Sequence, residues 1–192
     1  MRRLTCFAFF LTVCMGNAQV IDHSINGFQA GFMGIWLNNE SKMAPNWAFR
    51  TEIGIEVPLT SGLEVFETLI PVLSIEPRWY YNSPKRQGNS KNTFHNSSNY
   101  ATVAIRYYPK FLAYDLYKAK FINDADGGLF VLPTWGIRRN SSYRINYELG
   151  FGVGIDIYEL LTDESSTTDF LLNIHLRIGY KFGRSIFKNS KK

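Results

Sequence analysis

Thirteen ionisable side chains stand at even spacings on one side of otherwise apolar segments: Arg50, Glu52 and Glu56; Glu76 and Arg78; Arg106; Arg138; Arg144, Glu148 and Asp156; and His175, Arg177 and Lys181. Five are acids, seven are permanent bases, and His175 can change charge near neutral pH. Gathered on one face, such groups can brace an interior as ion pairs or serve as an acid–base site. Catalysis by a Ser–His–acid set would need an activated nucleophile, and no Ser sits in a Gly-x-Ser-x-Gly motif. His23 and His95 have no companion at metal-ligand spacing. Asp124-Ala125-Asp126-Gly127-Gly128 lacks the third acid and the distal Glu of a calcium loop, and reads as a turn entering a strand. Phosphate loops, paired cysteines and dinucleotide fingerprints are missing, so no cofactor is expected.

The elements that carry these residues alternate with period two. From Tyr143 to Ile157 the odd positions are apolar or aromatic, and the even ones are Arg144, Asn146, Glu148, Gly150, Gly152, Gly154 and Asp156. At 100° per residue a helix would wrap both sets around its cylinder, so the segment is a strand. The same pattern runs through 170–182, 47–57, 72–82 and 99–109, and 26–38 and 129–138 complete seven strands. The eighth of an even-numbered barrel is sought in Leu63 to Thr68, in preference to Phe111 to Phe121. Polar connections are expected at 39–46, 83–98, 124–128, 139–142 and 158–169, the second as a solvated surface loop.

The 192 residues carry a net charge of +5 and 16% aromatics, which suits one ordered domain. No apolar run is long enough for a transmembrane helix. Arg2 and Arg3, the apolar stretch from Leu4 to Met15 and the small residues of Gly16-Asn17-Ala18 read as a signal peptide over 1–18. Its removal takes both cysteines, Cys6 and Cys14, and lowers the net charge from +5 to +3, too little to argue for nucleic acid. Leu11-Thr12-Val13-Cys14 also resembles a lipid-attachment signal, with Val13 where a small residue is usual. A basic tail follows over 183–192.

Alternation alone fits a soluble barrel, a sandwich or a membrane barrel. Unbroken runs of thirteen to fifteen residues favour tilted strands that cross a bilayer. Glycines among charges on the polar face suit a narrow lumen. Trp79, Tyr80 and Tyr81, Tyr107 and Tyr108, and Trp47 and Tyr143 lie at strand ends, where interfacial aromatics collect. Inside eight strands there is room for side chains only, so the acids and bases are expected to pair.

The closing stretch Arg177-Ile178-Gly179-Tyr180-Lys181-Phe182 is similar to the terminal signal read by the barrel-assembly machinery. With Glu76-Pro77-Arg78-Trp79-Tyr80-Tyr81-Asn82 and Pro133-Thr134-Trp135-Gly136-Ile137-Arg138-Arg139-Asn140, it makes the chain resemble the small outer-membrane β-barrel proteins of Gram-negative bacteria. The resemblance implies an all-β, antiparallel up-and-down transmembrane barrel of eight strands over 19–182, with Gly179, Tyr180 and Phe182 as the assembly signal. It implies outer-membrane lipid and the assembly machinery as partners and an unidentified extracellular or periplasmic ligand, and is nearly silent on activity; the missing nucleophile motif is what argues against an enzyme. Two alternatives stand beside it: a barrel hydrolase modifying outer-membrane lipid, with His175 at its site, and a secreted soluble barrel binding an apolar ligand.

Overall fold

The computed structural model describes residues 24–57, 68–109, 111–122, 128–141, 144–157 and 170–182. The signal-peptide and tail segments, Cys14, Tyr143, most of 124–128 and 158–169, and Leu63 to Glu67 lie outside them.

Ten strands follow in chain order among the described residues: β1 (Ser24–Gly31), β2 (Gly34–Ala44), β3 (Trp47–Glu56), β4 (Thr68–Trp79), β5 (Asn99–Tyr108), β6 (Ala113–Asp115), β7 (Lys120–Ile122), β8 (Gly128–Asn140), β9 (Ile145–Asp156) and β10 (Phe170–Phe182). A short helix, α1 (Ser83–Gly88), and a 3-10 turn (Phe94–Asn96) lie between β4 and β5. Eight strands close into an antiparallel barrel in the order β3-β2-β1-β10-β9-β8-β5-β4, the last returning to β3. β6 and β7 form a hairpin that leaves the barrel and, among the described residues, pairs only with the start of β4, through Thr68 opposite Asp115 and Leu69 opposite Tyr114.

The eighth strand comes from a different place than the sequence suggested. The segment read as one strand over 26–38 is two, β1 and β2, joined by the two-residue turn Phe32-Met33 with Gly31 opposite Gly34. At Gly34 an added Cβ would lie 2.1 Å from the Ile55 carbonyl oxygen, so the strands approach too closely there for any larger residue. β2 then continues to Ala44 through residues expected to be a connection. Phe111 to Phe121 does contain strand, but as the off-barrel hairpin.

The alternation resolves as charged inward and apolar outward. Glu148, Gly150, Gly152, Gly154 and Asp156 are buried in the barrel, while Tyr147, Leu149, Phe151 and Val153 stand exposed on its wall. Leu172, Ile174, Leu176 and Ile178 of β10 also face out. The inward glycines lie where large side chains cross the lumen. A Cβ on Gly54 would meet Trp36 at 2.3 Å, one on Gly136 would meet the Tyr100 ring at 2.3 Å, and one on Gly150 would meet His175 at 2.2 Å. Overpacking of this kind costs about 1–3 kcal/mol. Gly136→Ala is therefore expected to lower barrel stability by about that amount, read as an earlier urea midpoint in detergent micelles with an unchanged slope.

Two expected positions of aromatics change. Trp47, Trp79, Tyr81, Trp135 and Tyr180 face out toward the end where the described chain begins and ends. Trp47 and Trp79 stack with centroids 6.0 Å apart, and Trp135 Nε1 donates to the Tyr81 hydroxyl at 2.7 Å. Tyr80, however, is wholly buried in the lumen, and Tyr108 turns its hydroxyl inward to Glu56 at 2.7 Å.

Candidate functional site

Among the described residues, the lumen is the one place where many ionisable groups converge. Twelve of the thirteen residues singled out from sequence are buried there; Arg144 is not. It precedes β9, is exposed, and donates to the Tyr180 hydroxyl at 2.6 Å with its guanidinium over that ring. In its place the barrel adds Glu40, which lies on the part of β2 expected to be a connection and is 1% exposed. The exchange alters the electrostatics. Buried in the described staves are six acids, Glu40, Glu52, Glu56, Glu76, Glu148 and Asp156, and six permanent bases, Arg50, Arg78, Arg106, Arg138, Arg177 and Lys181. The interior is charge-balanced, as a low-dielectric space requires if ions are to be held there.

Glu148 is the hub. Its carboxylate accepts from Arg78 Nη2 at 2.8 Å, Arg138 Nε at 3.0 Å, the Tyr100 hydroxyl at 2.8 Å and Gln29 Nε2 at 3.1 Å. Arg138 and Glu148 are direct cross-strand neighbours on β8 and β9, as are Glu148 and Arg177 on β9 and β10. Glu40 forms a second centre toward the end where β1 begins and β10 finishes. It accepts from Arg138 Nη1 at 2.7 Å and the Tyr80 hydroxyl at 2.8 Å, and from the side-chain amide of Asn96. Arg138 therefore bridges the two carboxylates with separate nitrogens, the forked geometry that Lys lacks.

Toward the opposite end Glu52 accepts from Arg50 and from Arg177 Nη1, the latter at 3.0 Å. Glu56 accepts from Trp36 Nε1 at 2.7 Å and from Arg106 Nη1 at 3.4 Å. Glu76 takes a two-pronged contact from Arg78, at 2.8 and 2.6 Å. Two guanidinium planes also lie over aromatic faces, Arg177 on Trp36 at 3.8 Å and Arg78 on Tyr100 at 4.2 Å. Sequence reading missed Gln29, Trp36, Glu40, Tyr80 and Tyr100 as members. For the first three the missed signal was parity: inward positions are odd in β1 and even in β2, the phase change that a two-residue hairpin imposes.

His175 is inward, as its strand position required. Its Nε2 lies 3.3 Å from the Tyr100 hydroxyl and 3.6 Å from Glu148. Among the described residues no group of three or more His, Cys, Asp or Glu is arranged to hold a metal.

The segment 82–98 lies at the end where β1 begins and β10 finishes; 84–92 is largely solvated as expected, but 95–98 turns in and covers the lumen, which was not expected. His95, Asn96, Ser97 and Ser98 are buried, with His95 and Asn96 both in left-handed backbone conformation, φ 49° and 61°. Lys181 Nζ donates to the His95 carbonyl at 3.1 Å and to Asn140 Oδ1 at 2.7 Å. Arg86 braces the segment by donating to the carbonyls of Ser97 and Asn92, at 3.0 and 2.9 Å. Its basic residues Lys85 and Lys91 do remain exposed.

Of the residues read as an assembly signal, Tyr180 and Phe182 face out and Gly179 faces in against Gln29 and Asn146. All three lie on the seam where β10 pairs with β1: Gln29 opposite Gly179, Phe28 opposite Tyr180, Asn26 opposite Phe182. No described helix is long and apolar enough to cross a membrane, which leaves open crossing by strands. Comparison with protein-family models, with curated proteins and with solved structures returns no match, so the geometry of the barrel alone carries the functional argument.

Proposed function

We propose that the chain is an outer-membrane barrel of a Gram-negative bacterium whose lumen is closed by its own side chains, and which anchors surface elements for binding or supports the envelope. The observation that carries this reading is the inside-out wall: charges balanced within, and an exposed surface of Ile, Leu, Val, Phe, Trp and Tyr without. Water would leave such a wall as one very large exposed apolar patch, and hydrocarbon would bury it. The outward Trp and Tyr near one rim suit a bilayer interface, where a ring is buried and its polar tip stays wet.

The connections suggest an orientation. The end where β1 begins and β10 finishes has two short turns, Pro45-Asn46 and 141–144, and the covering segment 82–98. The opposite end has the two-residue turn Phe32-Met33 and the longer connections 57–67, 109–127 and 157–169. Barrels of this kind carry their longer loops on the extracellular side, and three of the four connections at that end are long, so the start of β1, the end of β10 and the covering segment face the periplasm and the β6–β7 hairpin faces outward. The exposed surface foreseen at 83–98 then moves to the other end of the molecule.

The inward apolar side chains among the described residues, such as Trp36, Ile70, Val72 and Leu132, are themselves buried, and the rest of that interior is filled by ion pairs, which disfavours the soluble carrier. His175 lies on the lumen side of β10, a sheet's thickness from any lipid on the outer wall, and its partners there are Tyr100 and Glu148. That placement disfavours a lipid hydrolase.

The test has two parts. The protein should fractionate with the outer membrane and migrate differently on a gel before and after boiling, and in planar bilayers it should give no large, stable conductance. A soluble periplasmic monomer would overturn the membrane assignment. A large steady channel would overturn the closed lumen.

A further inference from the structure

Resting on the membrane reading, we infer that the β6–β7 hairpin is a second lipid-contacting element, seated in the headgroup layer at the outer rim of the barrel. The hairpin is short and unusually apolar for a projection. Phe111, Leu112, Leu116, Tyr117 and Phe121 are all exposed, Tyr117 by 84% and Phe121 by 67%. Its sidedness follows from register. On β4 the odd positions face out, so Leu69 lies on the outer wall; Tyr114 is its partner, and Phe121 is the partner of Tyr114. Leu69, Tyr114 and Phe121 thus form one row that continues the apolar wall, with the Tyr114 and Phe121 rings edge to face at 5.2 Å.

The other side of the hairpin is mixed, with the small pair Ala113 and Ile122 next to polar residues. Thr68, Asp115 and Lys120 share it, and Asp115 accepts from the backbone N–H groups of Lys118 and Tyr117 at 2.8 and 2.9 Å. Those contacts, that of Lys118 first, hold the Asp115 carboxyl below its ordinary range and keep the tip folded. A hairpin standing free in water would have no reason to carry its aromatic row on the wall side only.

Height along the barrel fixes which part of a membrane the row meets. Trp79, in the aromatic group near the opposite rim, and Leu69 are ten residues apart on β4. At ~3.3 Å per residue and a tilt of ~40°, that span is about 25 Å along the membrane normal, the height of the apolar band of such barrels. Leu69 therefore sits at the upper edge of the hydrocarbon, and Tyr114, Phe121 and Tyr117 lie level with the headgroups. Aromatic rings are favoured at that depth. The occupant is a lipid surface, because the row is continuous with a wall that is itself lipid-facing.

The experiment places a fluorescent probe on single cysteines in a chain carrying Cys6→Ser and Cys14→Ser, folded into phosphatidylcholine–phosphatidylglycerol vesicles that contain nitroxide lipids. A probe at Leu176→Cys, in the middle of β10, reports the wall, and one at Phe121→Cys reports the hairpin. Tyr117→Cys, at the exposed tip, serves should Phe121→Cys fail to fold. The hairpin probe should lose more fluorescence to headgroup-borne nitroxide than to mid-chain nitroxide, and the wall probe the reverse. A hairpin probe quenched only by a water-soluble quencher, with the wall probe still quenched from mid-chain, would overturn the inference. A wall probe untouched by mid-chain nitroxide would overturn the membrane reading itself.

Discussion

Glu148→Ala should cost about 3–5 kcal/mol of barrel stability, the range for removing one partner of a buried ion pair. The loss is large because three guanidinium groups surround this carboxylate. Arg78 and Arg138 donate to it directly, and Arg50 Nη1 lies 3.7 Å away. Arg78 keeps Glu76 and Arg138 keeps Glu40, so neither is stripped entirely. The six-to-six balance nevertheless becomes five acids against six bases in a space that water cannot readily enter. Tyr100 and Gln29 lose an acceptor as well. The measurement is urea unfolding in micelles, with unboiled gel migration as the readout of folded barrel. A double replacement, Glu148→Leu with Arg138→Met, should cost less than the sum of the two single changes, because an apolar pair leaves fewer stranded charges. Purely additive losses would mean that the two side chains act independently, against the 2.8 Å contact between them.

Leu176→Arg is the corresponding change on the outer wall, and its sign depends on what surrounds the barrel. Leu176 is central in β10 and 63% exposed, with no role in the lumen. Against hydrocarbon an Arg at mid-depth costs about 2–4 kcal/mol. Against water the same change would be near neutral and would improve solubility. Folding titrations into lipid vesicles should show the loss, while Asn26→Arg, outward but near the polar collar of Ser24, Asn39 and Ser41, should show little. Equal tolerance at both positions would exclude a bilayer around β10.

Parity along a strand is a local property, and it carried most of what could be read from the chain alone. Glu148 and Asp156 alternate with Tyr147, Leu149 and Phe151, so one set had to face in and the other out whatever the partners were. Twelve of the thirteen ionisable residues therefore fell in the lumen as expected. The β1–β2 turn was hidden because its two residues, Phe32 and Met33, are apolar and carry no turn chemistry. Merging the two strands put Asn39 to Asn46 in a connection and so concealed Glu40. Arg144 kept the right parity yet lies before the first residue of β9, where the wall has ended and Tyr180 is within reach.

What the sequence by itself determined was thus an all-β chain with a charged face and an apolar face, because side-chain direction in a strand depends only on position. Which acid is the hub, where the eighth strand lies, that 82–98 folds over one rim and that 113–122 leaves the other were decided by the tertiary structure. Glu148 meets Arg78 across 70 residues and Glu40 meets Arg138 across 98. Contacts at that separation are set by register and closure of the whole barrel, and no local pattern of residues contains them.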